Sequence, residues 1–93
     1  MPKINIKKEY EQFAIIGENK KNNQVEFHFE NGYGASVING PGTYGFESGL
    51  FELGVLSEEY GWNLTYDTPI TNDVIGYLSE DQVYKLLNKI SKL

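Results

Sequence analysis

Neither cysteine nor arginine occurs in this 93-residue chain. Without cysteine there is no disulfide staple and no thiolate metal site. Small secreted domains usually carry disulfides, so their absence fits a reducing compartment. Long apolar runs are missing too, and none approaches the roughly 20 residues that a helical membrane span requires. The opening Met1-Pro2-Lys3-Ile4-Asn5-Ile6 has no apolar stretch of the signal-peptide kind. The expectation is one soluble domain over residues 1–93, in the cytoplasm.

The absence of arginine leaves all positive charge to eight lysines, and these sit at the two ends. Lys3, Lys7, Lys8, Lys20 and Lys21 precede residue 22, and Lys85, Lys89 and Lys92 follow residue 84. From Asn22 to Tyr84 no lysine occurs, yet ten of the acids do: Glu26, Glu30, Glu47, Glu52, Glu58, Glu59, Asp67, Asp73, Glu80 and Asp81. The net charge of −5 therefore understates how negative the middle is. Side chains recognise phosphate through the arginine fork or the lysine ammonium. The middle offers neither, which argues against direct nucleic-acid binding. A surface of this sign attracts a basic surface on another protein and speeds encounter.

Two local patterns are clear. In Gln24–Glu30 and Tyr33–Ile38, apolar and polar residues alternate on either side of Asn31-Gly32. Asn-Gly between such runs predicts a β-hairpin with a two-residue turn. That register sets Phe29 opposite Gly34 and Phe27 opposite Ser36, with Val25, Phe27, Phe29 and Ile38 on one face. At the other end, Ser79 and Gln82 form a capping box, and Leu78 with Val83 a hydrophobic staple. Glu80 and Asp81 in the first turn, and the lysines toward the end, complement the helix dipole. Val83, Leu86, Leu87, Ile90 and Leu93 then make one apolar stripe.

The remaining pattern predicts strands over 12–18, 50–56 and 64–67 and an extended segment over 74–78, with Phe51, Leu53 and Val55 facing the core. Residues 58–63 form a turn with Gly61 and Trp62 at its tip. The predicted fold class is α+β: a four- or five-stranded, mainly antiparallel sheet of hairpins with one C-terminal amphipathic helix packed on one face. Residues 39–49, with four glycines and a proline in eleven positions, read as a long irregular loop. Long loops in small domains tend to carry function.

Several of these segments carry a resemblance: Tyr33–Ile38, Tyr44-Gly45, Gly49–Leu53, Leu64–Thr71 and Asp73–Leu78. They resemble small accessory proteins of bacteriophages and prophages, of uncharacterised function, over about residues 33–90. The resemblance implies a protein acting on a host component and carries no catalytic residue with it.

No constellation for catalysis stands out. His28 is the single histidine and sits mid-strand between Glu26 and Glu30 on the more polar face, the setting of a solvated strand histidine. No Gly-x-Ser-x-Gly elbow or Gly-Lys-Ser/Thr phosphate loop occurs. Asp67 and Asp73 flank Pro69 in the manner of turn-capping residues. The expectation is a non-enzymatic binding protein without cofactor or metal, which inhibits or modulates a host protein such as a defence or nucleic-acid-processing factor. The expected partner has a basic surface. The contact residues expected are Tyr44, Phe46, Glu47, Glu58, Glu59, Tyr60 and Trp62, since large rings with polar tips suit interfaces. The alternatives are an oligomeric nucleotide binder using the glycine-rich loop, and a structural accessory protein. Homodimerisation through exposed strand edges is expected to be compatible with each.

Overall fold

The sheet begins with a hairpin whose turn is one residue longer than Asn-Gly alone predicts. In a computed structural model that describes residues 6–15, 24–39, 45–70 and 74–93, β2 (Val25–His28) and β3 (Tyr33–Ile38) pair antiparallel. Phe27 stands opposite Ala35 and Val25 opposite Val37. Phe29 closes the turn, donating its N–H to Tyr33 O at 2.9 Å, and Gly32 takes the left-handed conformation at φ 88°. This is a three-residue loop with glycine at the position that requires positive φ. It corrects the predicted register by one residue and thereby reverses the faces of β3. The cause is burial. Ala35 and Val37 are fully buried beside Phe27, and Ile38 turns to the opposite face.

β1 (Ala14–Ile15) pairs with β2, and β4 (Phe51–Ser57) pairs with β3. The far edge of β4 is shared by two short strands running the same way, β5 (Asn63–Leu64) and β6 (Ile75–Leu78). The six described strands thus form a meander whose last strand is interrupted near Gly54. Between Ile75 and Leu78, β6 holds one residue more than the opposing stretch of β4, a β-bulge. Tyr77 absorbs the extra residue at φ 57° and is pushed outward, 62% exposed.

One face of this sheet carries the core. Val25, Phe27, Phe29, Ala35, Val37, Phe51, Leu53, Val55 and Leu78 meet Val83, Tyr84, Leu87 and Ile90 of helix α1 (Glu80–Ile90). The predicted capping box is present: Gln82 N–H donates to Ser79 Oγ and Ser79 N–H to Gln82 Oε1. Leu93 is 36% exposed, so the stripe stops at Ile90.

Residues 8–13, in part predicted as strand, form a 3-10 helix instead. Tyr10 and Phe13 pack their rings edge-on against Phe27 and Phe29. An apolar run this short fits either element by periodicity. Here the rings seal the open end of the core, and a helical turn brings both to the same side.

Candidate functional site

The other face of the sheet has no helix on it among the described residues, and its floor is made of small residues. Gly34 and Ser36 of β3 and Gly54 of β4 all point to this side, with Ser36 directly opposite Gly54 and Glu26 directly opposite Ser36. Glu52, Leu56 and Ile38 share the same face, since strand side chains alternate. The result is a cleft of about 280 Å³ lined by Gln24, Glu26, Ser36, Ile38, Glu52, Gly54, Leu56, Trp62, Asn63, Leu64 and Val74. A side chain at position 54 would collide with a Leu64 methyl and stand 3.3 Å from Val74 Cγ1. The two leucine and valine side chains close over that glycine from either side of the strand interruption.

Trp62 forms one wall, and its placement depends on backbone conformations that sequence periodicity does not report. The turn after β4 is a 3-10 segment, Glu58–Tyr60, followed by Gly61 and Trp62, both left-handed at φ 71° and 59°. Left-handed backbone costs a residue with a Cβ roughly 1–2 kcal/mol. Two contacts offset it. Trp62 N–H donates to Ser57 O at 2.8 Å. Its indole folds back across the sheet and stacks on His28, with ring centroids 3.9 Å apart and planes 8° from parallel. Gly34 lies beneath, where a Cβ would stand 3.1 Å from indole Cζ3.

His28 is thus one layer of a stack rather than a solvated strand residue. Its Nε2 lies 2.9 Å from Glu26 Oε1. A carboxylate accepts only, so this contact places a proton on Nε2. Beside it, Gln24 Nε2 donates to Ser36 Oγ at 2.6 Å, fixing the polar rim of the cleft.

The residues expected to make contacts fall in three places. Glu58, Glu59 and Tyr60 are exposed together on the 3-10 knuckle next to Trp62, Tyr60 at 50%. Glu47 is exposed in a separate 3-10 turn, Phe46–Ser48, which Phe46 opens. Tyr44 and Asp73 lie outside the described residues. The cleft acids Glu26 and Glu52 were not singled out from the sequence as contact residues. A correct hairpin register would have placed Glu26 opposite Ser36; Gly54 joins that row through the separate pairing of β3 with β4. Tyr66 and Tyr77, 47% and 62% exposed, are two further surface rings that the pattern did not mark as contacts.

On the helix side the polar chemistry is structural. Tyr84 Oη accepts from Lys7 N at 2.9 Å, and Lys7 Nζ sits 4.5 Å from the centre of the same ring. Burial pushes the Tyr84 hydroxyl above its ordinary pKa. The Lys7 N–H opposes that shift, while the charges of Glu80 and Glu9 add to it. Tyr10 is raised as well, by burial first and then by Glu9. Among the described residues no three His, Asp or Glu side chains converge as metal ligands, and no helix is long and apolar enough to cross a membrane. Comparison with protein-family models, curated proteins and solved structures finds no match to this chain.

Proposed function

We propose that this chain is a non-enzymatic binding protein that engages a basic surface on another protein through the open face of its sheet and the adjoining knuckle. The observation that carries the reading is the asymmetry of the sheet. One face is covered by α1, while the other, among the described residues, presents a cleft bearing Glu26 and Glu52 beside Trp62. Glu58 and Glu59 extend the same sign of charge past the indole, with the Tyr60 ring exposed beside them. Like-charged surfaces steer opposite-charged partners over distances near the Debye length, about 8 Å at physiological salt. Exposed rings beside the charges supply the anchoring area that steering alone lacks.

The resemblance to phage and prophage accessory proteins gives this reading its setting: a phage-encoded modulator of a host protein in the host cytoplasm. A defence or nucleic-acid-processing factor has the basic surface such a protein would occupy. Homodimerisation is part of the same proposal only if it leaves the cleft open.

The test is capture of partners from a bacterial lysate with the tagged chain at low and at high salt, alongside a Glu58→Lys/Glu59→Lys variant. The reading expects a discrete partner held at low salt, released at high salt and lost with the reversed charges. Absence of any partner at low salt, or retention indifferent to both salt and charge reversal, contradicts it.

A further inference from the structure

We infer that the cleft on the open face is a subsite for a single basic side chain, the lysine or arginine of an extended segment of the partner protein. The inference rests on the binding reading above and gives its central contact a chemistry. Three features converge. The cleft holds about 280 Å³, just under the roughly 300–1,000 Å³ of typical small-molecule pockets. That is the scale of one long side chain. Its floor is Ser36 and Gly54, small residues directly opposite each other on adjacent strands, with Leu64 and Val74 closing over the glycine and bounding the space. Glu26 stands at one end of that row, and Glu52 lies one same-face step along β4 from Gly54. From strand spacing and rise, the two glutamate Cα atoms are about 12 Å apart. Both carboxylates add to the negative field of the cleft, Glu26 while keeping its contact with His28 Nε2.

The walls suit the rest of such a side chain. Trp62 and Leu64 line the cleft and would pack against the methylene stem, with the charged head at the carboxylates. An indole also favours a neighbouring guanidinium or ammonium. The occupant is a foreign basic segment rather than a second copy of this face. Two such faces would bring carboxylates against carboxylates, and the lysine-free stretch from residue 22 to residue 84 supplies no cation to separate them. A basic side chain satisfies both charge and shape, and the residues flanking it would lie along the exposed face.

The experiment titrates the whole chain with N-acetyl-arginine amide, N-acetyl-lysine amide and N-acetyl-citrulline amide, the last a neutral isostere of the first. Trp62 is the sole tryptophan, so indole fluorescence reports the cleft, and amide NMR signals of Ser36 and Gly54 locate the binding. The arginine and lysine probes should saturate with a Kd on the order of 1 mM, the range open to so small a ligand. The citrulline probe should bind at least about fivefold more weakly, and Glu26→Gln/Glu52→Gln should weaken the charged probes by a similar factor. The double variant must keep the parent melting temperature; if it does not, the citrulline comparison on the unaltered chain decides alone. Equal binding of the citrulline probe, or no saturation at tenfold higher concentration, overturns the inference. So does calcium chloride moving the same signals at lower concentration, which would assign the carboxylates to a metal ion. Failure here with salt-sensitive partner capture intact removes the cleft and leaves the wider binding reading standing. Failure of both removes both.

Discussion

Replacing Gly34 by alanine should destabilise this protein far more than the same change at Gly54, although both glycines line the same face. A Cβ at position 34 would collide with the carbonyl oxygen of Phe27, on the paired strand, and would also press on indole Cζ3 at 3.1 Å. A backbone oxygen inside a hydrogen-bonded ladder cannot turn aside, so the strands must separate or the register must slip. At position 54 the obstacle is the end of the Leu64 side chain, which can change rotamer. Overpacking costs about 1–3 kcal/mol, and Gly34→Ala belongs at about 3 and Gly54→Ala at about 1. A domain of this size has a total stability of about 5–14 kcal/mol, and each 1 kcal/mol moves its melting temperature by about 4–8 °C. Thermal unfolding followed by circular dichroism should show a drop of about 12–24 °C for Gly34→Ala and about 4–8 °C for Gly54→Ala. The alanine at 34 should also lift the indole from His28 and shift tryptophan emission to the red. Equal losses, or a larger loss at Gly54, would refute the close approach of β2, β3 and Trp62.

Three other outcomes follow from contacts elsewhere. His28→Ala removes the ring stacked on Trp62; it should red-shift the emission and cost about 1 kcal/mol, the usual worth of an aromatic pair. Ser79→Ala removes the acceptor for Gln82 N–H and should cost about 1 kcal/mol in denaturant unfolding, without changing the surface at the cleft. Tyr84 and Tyr10 have raised folded-state pKa values, so the folded chain holds those protons longer than the unfolded chain does. The stability they contribute is complete below the ordinary tyrosine range near 10 and is lost as pH rises from there through the folded-state values. Tyrosinate absorbance should therefore rise in two phases, the later one vanishing on unfolding, and Tyr84→Phe/Tyr10→Phe should flatten the alkaline fall in melting temperature.

Much of the helix side of the fold was legible because its signals are local. The capping box and the buried positions Val83, Leu87 and Ile90 of the stripe each depend on residues within a few positions of one another. The core face of β4 followed from simple alternation. The hairpin was legible in place but not in register. Asn31-Gly32 fits both a two-residue and a three-residue loop, and the choice depends on which of Ala35 and Ser36 can be buried against Phe27. Asn31 also bonds across the fold, donating from Nδ2 to Ile90 O at 2.9 Å while its Oδ1 accepts from Tyr33 N. That tie to the helix end is invisible to local pattern.

The candidate site was half legible for the same reason. The acidic knuckle Glu58-Glu59-Tyr60 is contiguous in sequence and could be marked as exposed. The cleft joins β2, β3, β4 and the turn at Trp62; the one-residue slip hid the pairing of Glu26 with Ser36, and the pairing of Ser36 with Gly54 joins strands with a long connection between them. The sequence pattern leaves His28 solvated because nothing near it in sequence covers it; its partner is a tryptophan 34 positions away. Left-handed backbone at Trp62 and Tyr77 had no signal at all, because neither residue type favours it.

The claim that this chain binds through its open, acidic sheet face can be tested in one measurement. Titration with a lysine- and arginine-rich peptide, followed by backbone amide NMR at low salt, maps where a basic partner lands. The account predicts saturable shifts concentrated on Glu26, Ser36, Gly54, Leu56 and Trp62, fading as salt rises. Shifts confined to α1, or none anywhere on the sheet, would contradict it.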